Sequence, residues 1–282
     1  MKAFLGMGLL GSHFVQAMIK RGDELQVWNR TASKATDLEQ YGARAFENVA
    51  DAVSDAELIH VALKDDAVVN QVLEAASTGF KKGAIIIDHT TTSKEGAIQR
   101  TKEWKDKGFF YQHAPVFMSP ANALESSGFM LVSGEQDLID KLEPLLFQMT
   151  GKLLQFGTDV GKAAAMKLVG NTFLVCFTAG IRDTLLLGKA LDVAASDVAI
   201  LFDSWNPGAQ LPARLKKITD GDYVNPSWEL AMARKDTGLF LEAATKAGVE
   251  LALVPGAAKL MDQWIEKGFG DKDWTVIAKD AV

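Results

Sequence analysis

Three glycines near the start of the chain constrain the fold more than any other feature. Gly6-Met7-Gly8-Leu9-Leu10-Gly11 follows the short β-type run Lys2–Leu5 and opens a segment, 12–21, in which Phe14, Ala17 and Met18 recur at helical spacing. The order strand, glycine turn, helix belongs to an α/β layer. In it Gly6 permits the tight turn, Gly8 lets a ligand approach the backbone, and Gly11 lets the helix pack closely on the strand. A helix N-terminus also carries unpaired N–H groups, so the six residues Gly6, Met7, Gly8, Leu9, Leu10 and Gly11 are expected to cradle a pyrophosphate.

The next 150 residues repeat this alternation. Further β-type runs lie at 24–28, 58–62, 84–88 and 109–113, with a later one at 128–133. Helical patterns fall between or after them at 34–41, 67–76, 94–107 and 138–149. This predicts an α/β Rossmann domain, a doubly wound parallel sheet, over residues 1–158. From 159 to 282 the strand pattern stops and an all-α domain is expected. The two are joined by a long helix over 160–190, roughly 45 Å at 1.5 Å per residue. Further helices are expected at Ala195–Ser204, 210–219, 228–247 and 253–268.

The end of the second strand is where a dinucleotide-binding sheet reads the adenosine ribose. Here it runs Val27-Trp28-Asn29-Arg30-Thr31, with no carboxylate to repel a phosphate. Arg30 offers a planar, permanently charged partner for a 2′-phosphate, with Asn29, Thr31 and Lys34 beside it. NADP(H) is therefore expected in preference to NAD(H).

Composition excludes several classes. The 30 Lys+Arg against 36 Asp+Glu give a net charge of −6, which argues against a nucleic-acid partner. Cys176 is the only cysteine, so no internal disulfide can form and a reducing, cytoplasmic setting is expected. The apolar start, Met1 to Leu10, is interrupted by glycines and is read as part of the fold, not as a secretory leader. No uninterrupted apolar run approaches about 18 residues, so no membrane span is expected. His13, His60 and His89 lack metal-ligand spacing, and no metal is expected. His113, at a strand end with no paired acid, is read as a structural residue.

Taken together, the glycine loop, Asn29-Arg30-Thr31, Asp88-His89-Thr90-Thr91, Ala114-Pro115-Val116, the segment from Gly161 to Asn171 and Lys235-Asp236 occur in an order that resembles the β-hydroxyacid dehydrogenases, the family of 3-hydroxyisobutyrate and 6-phosphogluconate dehydrogenases. The resemblance spans nearly the whole chain. It implies an NADP-dependent oxidoreductase that moves hydride between the cofactor and a small aldehyde, ketone or β-hydroxy acid-like substrate. By position, Lys167 is then the catalytic lysine and Asn171 the asparagine that orients substrate. Thr90 and Thr91 would meet the nicotinamide and its ribose, Leu63 and Lys64 would lie over the cofactor, and Lys235 would reach back towards it. A homodimer or homotetramer paired through the helical domain is implied as well.

Residue chemistry supports part of this independently. Lys167 and Asn171 stand at i and i+4, on one helix face. A lysine among apolar neighbours such as Ala164, Leu168 and Val169 has its amine shifted toward proton transfer near neutrality. Thr92 or Ser93 is placed to cap the helix that follows.

The substrate loop departs from the family. Where its members carry a serine and glycines after Ala-Pro-Val, this chain has Val116-Phe117-Met118-Ser119. A hydroxyl and backbone freedom are replaced by apolar bulk, which opens the way to a carbonyl substrate without a carboxylate. Ser119 and Asn122 are the nearby polar candidates. Two other readings stay open: an imine reductase on the same architecture, against which Lys167 argues, and a noncatalytic NADPH-binding interaction protein.

Overall fold

The computed structural model describes residues 1–282. Contacts divide it into two compact units, Met1–Asn171 and Thr172–Val282. The division falls inside the long helix, so Lys167 and Asn171 belong to the first unit.

In chain order the first unit begins β1 (Lys2–Leu5), α1 (Leu9–Lys20), β2 (Leu25–Trp28), α2 (Ser33–Thr36) and β3 (Arg44–Ala45). It continues β4 (Leu58–Val61), α3 (Asp66–Ala76), β5 (Ile85–Asp88), α4 (Lys94–Asp106) and β6 (Phe110–His113). These six strands form one parallel sheet in the order β3-β2-β1-β4-β5-β6. Because β1 pairs with β2 on one side and β4 on the other, the glycine turn after β1 emerges at the reversal of strand order, where open α/β sheets bind ligands.

The alternation along these strands sends apolar side chains to both faces of the sheet. Phe4, Val27, Ile85 and Ile87 face one layer, with Phe14 and Met18 of α1; Ala3, Leu5, Ile59, Val61 and Ile86 face the other, with Val69 and Leu73 of α3 and Trp104 of α4. Both faces are buried, as a parallel sheet requires.

A second, smaller sheet follows. It contains β7 (Val116–Phe117), then α5 (Pro120–Glu125), β8 (Phe129–Val132), α6 (Gln136–Leu146) and β9 (Lys152–Gln155). Strand β7 pairs antiparallel and β9 parallel with β8. The expected run at 128–133 is thus β8, in a separate sheet. The pattern expected at 34–41 is only the four-residue α2 and a 3₁₀ turn, since Ala35 and Leu38 alone are buried along it.

The long helix is α7 (Lys162–Ala190). The second unit takes its remainder and adds α8 (Ala195–Ser204), α9 (Leu211–Asp220), α10 (Leu230–Lys246) and α11 (Val254–Trp264). Its core joins Tyr223, Leu230, Ala233, Met261, Trp264 and Val276. Asp183 of α7, 3% exposed, accepts the backbone N–H groups of Ala252, Leu253 and Val254, and so caps the start of α11. The helix expected to reach residue 268 ends at Trp264 and passes into a π turn at Ile265–Phe269, in which Gly268 takes φ +86°.

The apolar character of α7 is greater than a search for uninterrupted runs shows. By length and composition α7 is apolar enough to cross a membrane, with a mean hydropathy of 1.5 over its best 18-residue window and only 6% of that window buried. Scattered charges hide this from a search for uninterrupted runs, because the helix averages over them.

Candidate active site

The first unit holds a cleft of about 760 Å³ at the carboxyl edge of the main sheet. One wall is the glycine turn. Gly6 takes φ +104°, and a Cβ there would stand 2.2 Å from the carbonyl oxygen of Ala62. A Cβ on Gly11 would stand 1.9 Å from the carbonyl oxygen of Gly6. Gly8 is different: it is extended, and a Cβ on it would meet nothing within 4 Å. Gly6 and Gly11 are demanded by the fold, whereas Gly8 leaves open a place on the cleft wall. Helix α1 starts there with no side-chain cap and no acidic residue in its first turn, so its free N–H groups suit an anion. Open backbone and uncapped helix together fit a dinucleotide pyrophosphate.

Gly6, Gly8, Leu9, Leu10, Gly11, Asn29 and Arg30 all border the cleft. Met7 is buried, and its N–H donates to Oδ1 of Asn29 at 3.0 Å, while Nδ2 of Asn29 donates to the carbonyl of Thr31 at 2.9 Å. Asn29 thereby ties the glycine turn to the second strand's end. Arg30 is exposed, and Thr31 and Lys34 are exposed outside the cleft lining. Sequence reasoning missed the opposite wall, where Val68, Gln71, Val72 and Ala75 of α3 border the cleft. Their i, i+3, i+4, i+7 spacing was readable as one face, and Gln71 is the polar residue within it.

The third wall is the loop after β5. The N–H of Thr90 donates to Oδ1 of Asp88 at 2.9 Å, and Oγ1 of Thr90 accepts the N–H of Leu63 at 3.0 Å. His113 Nε2 lies 2.9 Å from the carbonyl of Thr90, to which it donates. Beneath, Tyr111 OH donates to Oδ2 of Asp88 at 2.6 Å, and Nε of Arg100, 1% exposed, donates to Tyr111 at 2.8 Å. Arg100 also pairs with Asp66 at 2.8 Å, whose other oxygen accepts the N–H of Ser93. Ser93 caps α4 through the N–H of Gly96. Both ends of the loop are therefore fastened, and Leu63, Lys64, Thr90 and Thr91 stand at the cleft.

His89 also borders the cleft. Its Nδ1 lies 2.9 Å from the carbonyl of Ala114, which can only accept, so Nδ1 carries the proton. Nε2 then accepts from Nδ1 of His60 at 3.0 Å. The two rings stack with Phe4 in the apolar layer. Burial lowers the pKa of His89 to about 4, and it holds His60 and His113 below their ordinary value as well, so all three are neutral at pH 7.

Val116, Met118 and Lys167 complete the lining. Lys167 is 8% exposed, and burial lowers its pKa. Phe117 turns away from the cleft lining and lies against Gly170. Ser119 and Asn122 engage each other in the capping box of α5, and Nδ2 of Asn122 donates to Oγ of Ser127 at 3.0 Å, so these polar atoms are held in local structure. Asn171 is partly buried on α7 at i+4 from Lys167, outside the lining. Lys235, in the second unit, is exposed and pairs with Asp236 at 3.0 Å.

A glycine cradle at the switch of a doubly wound sheet, sharing one cleft with a buried lysine, defines an NAD(P)-dependent oxidoreductase. Comparison with known proteins narrows the class. Residues 2–157 match the NAD binding domain of 6-phosphogluconate dehydrogenase, and residues 161–280 match the NAD-binding family of NADP-dependent 3-hydroxyisobutyrate dehydrogenase. The chain belongs to the β-hydroxyacid dehydrogenase family. It is 26% identical over 281 residues to 3-sulfolactaldehyde reductase of Escherichia coli (strain K12), covering 98% of this chain and 93% of the relative. It is 24% identical to 2-(hydroxymethyl)glutarate dehydrogenase of Eubacterium barkeri, with the same coverage. Among solved structures, an imine reductase from Myxococcus stipitatus in complex with NADP+ superposes with a TM-score of 0.92 at 19% identity, covering 100% of this chain and 99% of that one. A reductive aminase from Aspergillus terreus reaches 0.89 at 22%, with the same coverage. At such identities these two speak for the fold alone.

Proposed function

We propose that the protein is an NADP(H)-dependent reductase or dehydrogenase of a small carbonyl or hydroxy compound, with Lys167 as the general acid and base. The observation that carries this reading is the position of Lys167: a buried amine, without a carboxylate partner, bordering the same cleft as the glycine cradle. When bound, the dinucleotide supplies or accepts the hydride. Gly8 and the first turn of α1 receive its pyrophosphate, Arg30 pairs with the 2′-phosphate, and Thr90 and Thr91 hold the nicotinamide end. In reduction Lys167 passes a proton from Nζ to the carbonyl oxygen; in oxidation it takes that proton back. Asn171 orients the substrate, as the family resemblance implies.

Val116 and Met118 give the substrate end an apolar wall, and the polar atoms of Ser119 are committed to Asn122. This favours a carbonyl compound without a carboxylate. Reduction of C=N is the second reading, favoured by the altered loop and opposed by Lys167. The exposed apolar residues of α7, among them Val169, Phe173, Leu174 and Val175, support the implied pairing with a second copy of the chain.

The test is NADPH oxidation by purified protein against small aldehydes, semialdehydes with and without carboxylates, ketones and cyclic imines. Lys167→Met is expected to lower kcat/KM for a carbonyl substrate by about 10²- to 10⁴-fold with NADPH affinity kept. An unchanged rate in a folded, NADPH-binding variant removes lysine acid catalysis.

A further inference from the structure

Phe117 closes the two-residue strand β7, and strand alternation turns its side chain off the face on which Val116 and Met118 border the cleft. Its ring lies on the backbone of α7. A Cβ built on Gly170 would stand 2.3 Å from Cζ and 2.9 Å from Cε1 of that ring, so only glycine admits it there. Three residues earlier, on the same helix face, Lys167 brings Nζ to 4.1 Å from the ring centroid. One ring therefore spans both positions, its far edge on the glycine and its face under the amine.

We propose that Phe117 is a positioning residue for Lys167: the face of its ring, seated on Gly170, holds the lysine head at the edge of the cleft and favours its charged, proton-donating form. The negative face of an aromatic ring attracts an ammonium group, most strongly where water is excluded. Burial pulls the other way, and it is the sole cause of the lowered pKa of Lys167. No carboxylate faces the amine. The titratable groups that share the cleft lining with it are Arg30, Lys64 and His89, and Lys94 lies beside Gly161 at the start of the same helix. His89 is neutral at pH 7, the other three are cations, and none of the four contributes to the lowered pKa of Lys167. Phe117 is thus the one neighbour that favours the charged form, and without it the lysine loses its proton at a lower pH.

The inference rests on Lys167 being the proton donor, but its test does not depend on turnover. The ionisation of Lys167 is read by competitive acetylation with acetic anhydride across pH, following the peptide that contains Lys167 by mass spectrometry. Phe117→Leu keeps apolar bulk and removes the π face; it is expected to lower the midpoint by about 0.5 to 1 pH unit. Gly170→Ala, whose methyl displaces the ring, is expected to move it in the same direction, and Phe117→Tyr, which keeps the face, to leave it in place. NADPH affinity checks that each variant is folded. An unmoved midpoint in Phe117→Leu, or an equal shift in Phe117→Tyr, overturns the proposal. A shifted midpoint in a protein that reduces no carbonyl upholds the role of Phe117 and withdraws the acid role of Lys167. An unmoved midpoint with lysine-dependent turnover does the reverse.

Discussion

Alanine at Gly8 and alanine at Gly11, made one at a time, separate what the glycine turn does for the fold from what it does for a ligand. At Gly11 the new methyl would lie 1.9 Å from the carbonyl oxygen of Gly6, more than 1 Å inside the distance real contacts tolerate. That oxygen is backbone, so relief requires α1 to lift off β1, and overpacking of this kind costs about 3 kcal/mol. For a unit of this size the loss corresponds to a fall in Tm of about 6 to 12 °C. At Gly8 the backbone has φ −78° and ψ −172°, which any residue adopts, and the methyl meets no protein atom within 4 Å. Gly8→Ala is therefore expected to leave Tm unchanged or raise it slightly, since alanine loses about 0.4 to 1 kcal/mol less backbone entropy on folding. On the proposed cofactor assignment, the methyl occupies the approach of the pyrophosphate. Displacing the phosphate by a methyl radius is expected to weaken NADPH by about 10- to 100-fold, or 1.4 to 2.7 kcal/mol. Thermal unfolding without ligand and fluorescence titration with NADPH read the two effects. A Gly8→Ala protein that binds NADPH as tightly as wild type, or that melts several degrees lower, refutes the assignment of the open glycine to the ligand.

Two further predictions follow from the same cleft. Arg30→Ala is expected to weaken NADPH by about 10- to 100-fold, the worth of a hydrogen-bonded charge, while NADH is little affected; equal losses measured by titration would remove the 2′-phosphate contact. The buried neutral histidines make the fold acid-sensitive. Because the folded pKa of His89 lies near 4, below its unfolded value of about 6.5, the unfolded chain binds the proton first as pH falls. Stability is complete above about pH 6.5 and declines between there and 4, by about 2 to 3 kcal/mol for His89 alone. Urea unfolding at pH 7.5 and 4.5 checks this, and an unchanged ΔG after correction for the carboxylates would show that His89 titrates normally.

The parts of this fold that sequence reveals are those set by local pattern. A glycine turn between β1 and α1, and strands apolar on both faces, are written in neighbouring residues, and the structure follows them closely. Pairing is not local. His60 and His89 are 29 residues apart and look like unrelated single histidines until β4 and β5 lie side by side in register. The small sheet is hidden for another reason: β7 has only two residues, and Lys152-Leu153-Leu154-Gln155 carries no alternation that separates it from a loop. Without β7, Phe117 reads as one more lining residue beside Val116 and Met118, whereas alternation sends it to Gly170. Ser119 and Asn122 were likewise visible as polar atoms near the site, but their capping box depends on α5 forming there.

The double fastening of the loop after β5 bears on how fast a dinucleotide is captured. Thr90 is already gripped by Asp88, His113 and the N–H of Leu63, and Ser93 by Asp66, with no ligand required to set them. With the nicotinamide end at this loop, as proposed above, binding orders little backbone, and the entropy that a slack loop would lose is lost at folding instead. The amide hydrogens of Leu63 and Thr90 should therefore exchange slowly in the free protein and change little when the dinucleotide arrives, leaving association limited by diffusion and charge at the Arg30 end rather than by a closing loop.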